Sequence, residues 1–227
     1  LIPSDFTIAM TMKTLPLVDE RIVEDTFLLR RAIERPFLKK ESPVIPRGQA
    51  YGSICREDGG SLRMYYTWYD KRIKSGGNVG GSCWLHMAQS SDGLHWEHPS
   101  LGLFAKDGST ANNIVLGPDA TDPEGRVLAG HLGPNGFCVL DAKRENLPHV
   151  RGRYTAIYLA NLDDTVRGIC LAHSEDGLTW HAYPENPVIS GWPDGHKPTF
   201  FDRRIGRYVM YPRPTVHAGP EAACRRI

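Results

Sequence analysis

The side chains that could do chemistry in this 227-residue sequence are scattered and do not form a known nucleophile or nucleotide motif. There is no G-x-S-x-G elbow, no P-loop, no G-x-G-x-x-G after a strand and no H-E-x-x-H zinc motif. Of the nine histidines, only His86, His95 and His98 cluster along the chain, and the last two flank a predicted hairpin. We therefore expect no metal and no cofactor.

The five cysteines also argue against a metal or disulfide framework. Their number is odd and no C-x-x-C pair is present. Four of them lie in apolar, strand-like runs, so we expect buried free thiols, which are typical of a reducing compartment. The first residues lack the basic start, the long apolar run and the A-x-A site of a signal peptide. These features predict a cytoplasmic protein.

Composition narrows the class of protein. Lys and Arg exceed Asp and Glu by one, 27 against 26, which excludes nucleic-acid binding driven by a strong positive charge. No run of about 18 apolar residues predicts a membrane span. The 23 glycines and 17 prolines favour many short strands joined by tight turns.

A nine-residue pattern occurs twice and predicts how these strands are joined. Ala88–Trp96 and Ala172–Trp180 are identical at six of nine positions, with an offset of 84 residues. In each copy we expect a strand to end at Ser, Asp-Gly to form a tight hairpin with positive φ at the glycine, and Trp to begin the return strand.

A second pattern, a glycine turn and a basic residue before an aromatic strand, occurs three times. Each copy follows another predicted strand. The copies are Gly60–Tyr66, Gly152–Tyr158 and Gly206–Tyr211. The combined unit has four antiparallel strands, as in a blade of a β-propeller. A β-sandwich of hairpins is the alternative.

The fold prediction is therefore an all-β protein made of propeller blades. We place one blade at 49–104, a second at 112–189 and a partial third at 196–227. Residues 1–48 form an N-terminal extension, in which the charged stretch Val18–Lys40 predicts a short helix that Pro36 would end.

Several segments together resemble the five-bladed β-propeller glycoside hydrolase superfamily, which includes invertase-like and arabinanase-like enzymes and mannoside phosphorylases. The chain is most similar to the poorly characterised invertase-like members. The resemblance covers about residues 49 to 217. The segments that carry it are Ser90–Trp96, Asn112–Val115, Ser174–Trp180, Asn186–Ile189, Asp194–His196 and Thr199–Asp202.

This resemblance implies glycoside cleavage by carboxylates that meet in a central funnel, one acting as acid and one as base or nucleophile. The positions that match are Asp141, after the strand Phe137–Leu140, and Asp194, before the third blade. Beside Asp194, we expect His196 to hydrogen-bond a sugar hydroxyl and Trp192 to stack on the apolar face of a sugar ring. Arg213 follows an inner strand, from which we expect it to reach a carboxylate or phosphate of the substrate.

The sequence departs from the family pattern at the first blade, where Gly48–Gly52 has no carboxylate. Two alternatives therefore stay open: a propeller that binds carbohydrate or assembles without catalysis, and a hydrolase of another class such as an esterase. About 2.5 blades are predicted, so the chain is a truncated product, or a remainder completes the ring, or two copies form a homodimer.

Overall fold

The computed structural model describes Ile45 and residues 51–70, 82–193 and 195–213. The chain divides into two compact units, Leu1–Lys39 and Lys40–Ile227, and every described residue belongs to the second. The predicted helix within Val18–Lys40 lies outside the described residues. Across the described part of the chain, no helix is long and apolar enough to cross a membrane.

The described residues are almost entirely β-structure, with a single short helix among them. The strands are β1 (Gly52–Arg56), β2 (Leu62–Asp70), β3 (Ser82–Ser90), β4 (Ile114–Leu116), β5 (Ala120–Thr121), β6 (Val127–Ala129), β7 (Asn135–Asp141), β8 (Tyr154–Asn161), β9 (Arg167–Ser174), β10 (His181–Ala182), β11 (Ile189–Ser190), β12 (Thr199–Asp202) and β13 (Arg207–Met210); the helix is α1 (Ala142–Glu145).

The first sheet has the antiparallel order β1-β2-β3-β4. Its longest strands, β2 and β3, pair over nine residues each, with Tyr65 opposite Met87. Because side chains alternate across a strand, Tyr65, Leu85 and Met87 share one face, and all three are buried. This face packs onto the second sheet.

The second sheet has the order β10-β9-β8-β7, and β11 also pairs with β9. All eight residues of β8 are buried, which is the pattern of a strand covered on both faces. On one face, Phe137 stacks on Tyr158 at 4.8 Å between ring centroids and meets Trp180 edge-on at 5.3 Å. On the other face, Leu140 and Ile157 form a smaller apolar cluster with Met210 of β13. Strands β12 and β13 form a hairpin that begins the third predicted blade, and we call it the third hairpin.

The innermost strands of the two sheets, β1 and β7, lie side by side. The backbone N–H of Val139 donates to the Ser53 hydroxyl at 2.9 Å, and one apolar core is shared by both sheets. Two antiparallel sheets are thus stacked face to face with their first strands together, followed by the hairpin β12-β13. The predicted all-β fold of partial propeller blades is confirmed.

The repeated Ser-x-Asp-Gly motif forms the same turn twice. The Ser90 hydroxyl accepts from the Gly93 N–H at 2.8 Å, and the Ser174 hydroxyl accepts from the Gly177 N–H at 2.8 Å. Both glycines have positive φ, as predicted, at 80° and 75°. The expected tight hairpin is wrong in length: Gln89 pairs with Glu97, so the loop is longer than a two-residue turn. The serine and aspartate side chains hold this longer loop together.

The outer strand of each unit is interrupted. In the second sheet both β10 and β11 pair with β9, so five strands replace the expected four. In the first sheet, β4 completes the sheet, whereas the sequence predicted that Asn112–Val115 opens the next blade. Asparagine side chains fix these pieces to the preceding strand: the Asn113 amide donates to Met87 O and the Asn186 amide donates to Leu171 O.

Candidate functional site

The starts of the inner strands and the segment before β12 converge. A Cβ built on Gly136, the second residue of β7, would overlap the Gly195 carbonyl and lie 3.0 Å from the Lys197 Nζ. A Cβ built on Gly195 would lie 3.9 Å from the Tyr51 hydroxyl, just before β1. Residues of all three blade units therefore meet at one place.

Arg213, which follows β13, also lies near Gly195. Its guanidinium carbon lies 4.0 Å from the position that a Gly195 Cβ would occupy. We call the residues that meet here the axial cluster; its members are Tyr51, Gly136, Gly195, His196, Lys197 and Arg213. Gly195 has φ of 81°, a conformation that glycine adopts without strain.

Lys197 is the most unusual member of the axial cluster because its side chain is completely buried. Its Nζ donates to the Gly195 carbonyl within its own loop. Burial lowers the pKa of Lys197 to about 8, and the nearby Cys83 thiol opposes this effect. Lysine is seldom fully buried unless it is paired, because desolvation of its charge is costly.

His196 lies beside Lys197 and is half-buried. Its ring stacks on Tyr51, with 6.4 Å between centroids and 6° between planes. Its buried Nδ1 makes no hydrogen bond to a described residue. Burial, and then the charge of Lys197, lower the pKa of His196, so the imidazole is neutral at neutral pH.

Trp192 is half-buried in the same loop, three residues before Gly195. The guanidinium of Arg167 lies over its ring at 5.1 Å from the centroid. One face of the indole is thus covered by the protein itself. The predicted sugar contacts Trp192, His196 and Arg213 all lie on the segments that flank or enter the axial cluster.

Asp141 lies at the opposite end of β7. The strand has seven residues, so about 20 Å separates its two ends. Asp141 is buried and is the N-cap of α1, where its Oδ1 accepts from the Arg144 N–H at 3.0 Å. Its Oδ2 accepts from Arg153 at 3.2 Å. The structure does not bring Asp141 together with Gly195 and His196.

Asp141 belongs to an ion-pair group between the first two sheets, which we call the blade clasp; its members are Glu57, Asp58, Arg63, Asp141, Arg153 and Tyr154. Within it, the Tyr154 hydroxyl donates to Glu57 at 3.0 Å and Arg63 pairs with Glu57 at 3.2 Å. Arg153 pairs with Asp58 at 3.1 Å. These contacts join the β1-β2 turn to the end of β7 and the start of β8.

Asp194, the second predicted catalytic carboxylate, lies outside the described residues. Its neighbours Pro193 and Gly195 are both buried, and Gly195 belongs to the axial cluster. The predicted pairing of Asp141 with Asp194 therefore stays a prediction. The contacts of Asp141 favour a structural use of its carboxylate.

One group of described side chains has the composition of a metal site: Asp122, Glu124 and His181. Arg126 already lies among them, with its Nη1 3.3 Å from an oxygen of each acid. Asp122 also accepts from the Ala182 N–H at 3.1 Å. The acids are thus engaged by a protein cation and a backbone donor.

The amino-acid sequence from the β1-β2 turn to just beyond β13 matches a known protein domain. Residues 57–211 match the N-terminal domain of glycosyl hydrolases family 32. The chain belongs to this family.

Structures of known proteins resemble the family 32 chain at low identity. A candidate glycosidase from Bacteroides thetaiotaomicron is 20% identical, with 60% of this chain and 32% of that chain covered and a TM-score of 0.41. A candidate glycoside hydrolase from Parabacteroides distasonis is 16% identical, with 74% and 43% covered and a TM-score of 0.42. This chain therefore spans less than half the length of these proteins.

A third similar structure is an N-acetylgalactosamine deacetylase from F. plautii in complex with blood group B trisaccharide. It is 16% identical, with 66% of this chain and 35% of that chain covered and a TM-score of 0.39.

Sequence reasoning missed Lys197 and Tyr51 as members of the axial cluster. Lys197 directly follows His196, which the family resemblance singled out, but a lysine in a loop ordinarily indicates solvent exposure. Tyr51 stands at the blade-one position where a carboxylate was expected and not found. The missing carboxylate was the sequence feature that could have drawn attention to Tyr51. No sequence feature pointed to Lys197.

Proposed function

We propose that this chain is part of a glycoside hydrolase that cleaves a glycan or small glycoside at the axial cluster. One observation supports the axial cluster as the active site. Three blade units converge around Gly195 and His196, which are next to Asp194 in the sequence. Membership of glycosyl hydrolases family 32 supports the class of reaction. A carbohydrate is accordingly the proposed substrate.

In this proposal, Asp194 supplies or removes the proton at the glycosidic bond. Neutral His196 exchanges hydrogen bonds with sugar hydroxyls, and Trp192 offers an apolar edge or face to the ring. Arg213 binds an oxygen-rich group of the substrate. Asp141, the predicted partner of Asp194, holds the α1 N-terminus and Arg153, which favours a positioning role in the fold.

A panel of nitrophenyl glycosides on the wild-type protein and on Asp194→Asn tests the proposal. We expect turnover of at least one glycoside, and a loss of about 10²- to 10⁴-fold in the variant, the range typical of general acid–base groups. Asp164→Asn, at an exposed position, is the matched control and keeps wild-type activity. Equal turnover in Asp194→Asn and the control would contradict the assignment.

The second candidate function is carbohydrate binding without cleavage. It is favoured by the make-up of the axial cluster, whose members are aromatic, basic or glycine residues. Sugar binding measured by calorimetry, with no turnover of any glycoside, would support it. Turnover of nitrophenyl esters that is unchanged in Asp194→Asn would instead support an esterase.

We also propose that two copies of the chain associate as a homodimer. The support is the third hairpin, which exposes large apolar side chains on one short element. They are Phe200, Ile205, Tyr208 and Tyr211, with exposed fractions of 42%, 58%, 37% and 64%. Light scattering should give twice the mass of one chain, and a monomeric mass would contradict the proposal.

A reducing, cytoplasmic compartment is the proposed location. The support is that Cys55, Cys83, Cys138 and Cys170 are all free and buried. Fractionation of cells that make the tagged protein tests it, and recovery from the culture medium would contradict it.

A further inference from the structure

The axial cluster contains cationic and hydrogen-bond-donating groups from three segments of the chain, which lie before β1, before β12 and after β13. Lys197 is completely buried with its Nζ at the start of β7. The Arg213 guanidinium and the Tyr51 hydroxyl lie about Gly195, 4.0 and 3.9 Å from the point where a side chain there would begin. Among described residues other than the chain neighbours of Gly195, these two groups are the nearest to that point.

His196 adds a fourth polar group to the axial cluster. Its Nδ1 is buried and makes no hydrogen bond within the described part of the chain. Its ring plane is fixed by the stack on Tyr51. A buried polar atom without a partner is normally satisfied by a ligand or by water.

We propose that the axial cluster binds an acidic substituent of a sugar, so that the substrates of the proposed hydrolase are acidic glycans. Arg213 and the Tyr51 hydroxyl donate to the anionic oxygens, and the buried ammonium of Lys197 stabilises their negative charge. This inference rests on the part of the proposed function that places a sugar at the axial cluster, and it adds the chemical class of the substrate. Carboxylate, sulfate and phosphate substituents share the required chemistry.

The physical argument is compensation of a buried charge. Desolvation makes a buried ammonium costly, and a nearby anion offsets this cost. Burial has lowered the pKa of Lys197 to about 8, so the amine is still mostly protonated at neutral pH. An anion bound beside it would raise that pKa, and by linkage the anion would bind more weakly once Lys197 loses its proton.

The titratable groups around Lys197 come from several segments. Cys83 at the start of β3 and His196 interact with it directly. Tyr69 in β2 contacts Cys83, and Tyr51 before β1 and Arg213 after β13 lie about Gly195. Burial raises the pKa of Cys83 to about 11 and raises that of Tyr69 further. Cys83 and Tyr69 therefore keep their protons between pH 7 and 9.5, and the loss of the Lys197 charge falls within that range.

Calorimetry on the full chain tests the inference with sugars that differ only in charge. Glucuronate and galacturonate are compared with glucose and galactose, and glucose 6-sulfate and glucose 6-phosphate distinguish the type of anion. We expect at least one acidic sugar to bind about tenfold or more tightly than its neutral counterpart. Its affinity should fall about tenfold between pH 7 and pH 9.5.

Two variants separate this role from a role in folding. Lys197→Met and Arg213→Met should each bring the ratio of acidic-sugar affinity to neutral-sugar affinity down to about one. Arg207→Met, an exposed arginine on the same hairpin, is the matched control and keeps the preference. If Lys197→Met fails to fold, Arg213→Met gives the same decision.

The outcomes separate this inference from the proposed function. Tighter binding of acidic sugars without any glycoside turnover supports the inference and removes the proposed cleavage. Equal or tighter binding of neutral sugars overturns the inference and leaves cleavage untouched. Binding of inorganic phosphate alone as tightly as any acidic sugar would overturn the assignment to a sugar substituent.

Discussion

At the scale of single residues, Lys197 should destabilise the fold at neutral pH. Burial lowers its pKa from 10.5 to about 8, so the charged form is disfavoured in the folded state. Between about pH 8 and 10.5 the unfolded chain binds more protons at this position than the folded chain does. The free energy of unfolding therefore rises with pH across that range.

We predict that Lys197 alone adds about 3 kcal/mol to the free energy of unfolding between pH 8 and 10.5. Cys55 and Tyr65 act in the opposite direction, because burial raises their pKa values. Urea unfolding of the wild type and of Lys197→Met across this range isolates the lysine. The free energy of unfolding of the wild type minus that of Lys197→Met should rise with pH, and a difference that does not change with pH would contradict the prediction.

Asp141 should act on stability, because it caps α1 and pairs with Arg153. We predict that Asp141→Ala lowers the free energy of unfolding by about 2 kcal/mol. Asp164→Ala, at an exposed position, should change it by less than about 0.5 kcal/mol. Chemical unfolding at pH 7 measures both, and similar values would contradict the structural role of Asp141.

At the scale of elements, the repeated turn offers a comparison within one chain. Gly93 and Gly177 occupy equivalent positions with nearly the same φ. A Cβ on Gly93 would meet the Leu62 Cδ1 at 3.4 Å, an ordinary contact. A Cβ on Gly177 would overlap the Tyr65 hydroxyl and the Arg63 guanidinium.

We predict that Gly93→Ala costs about 1–2 kcal/mol, the strain of a left-handed alanine. Gly177→Ala should cost about 2–4 kcal/mol, because overlap adds to the same strain and the Tyr65 hydroxyl loses its bond to the Gly177 carbonyl. Thermal unfolding of both variants gives the comparison. Equal losses would show that the turn accommodates the methyl group.

The sequence was sufficient for the elements whose form depends on nearby residues. Serine, aspartate and glycine at fixed spacing define the two turns through contacts within four residues. The interrupted outer strands were not predictable, because β4 and β11 pair according to where the preceding strand lies. Lys197 was missed for the same reason: its burial depends on Gly136, some sixty residues earlier in the chain.

At the scale of the whole molecule, the second sheet lies between the first sheet and the third hairpin. Strand β8 is buried at all eight positions and pairs on both edges, whereas β13 pairs with β12 and is partly exposed. Slow amide exchange requires burial and stable pairing. The most protected described region should therefore be the centre of the stack.

We predict that the amides of β8 exchange most slowly among the described strands and that those of β13 exchange at least about a hundredfold faster. Hydrogen–deuterium exchange with peptide resolution measures this order. Equal protection of β8 and β13 would mean that the third hairpin is held as firmly as the second sheet.

The blade arrangement also determines where a substrate should bind. The axial cluster and the blade clasp lie at opposite ends of β7. The charged groups of the clasp form ion pairs with one another, which a ligand bound there would have to break. In the axial cluster, the buried Nδ1 of His196 has no hydrogen-bond partner among the described residues.

A crystal structure with a bound sugar would show where the substrate binds. We expect sugar oxygens within hydrogen-bond distance of His196 and Arg213, with the ring beside Trp192. A sugar seated instead against Asp141 and Arg153, at the far end of β7, would contradict it.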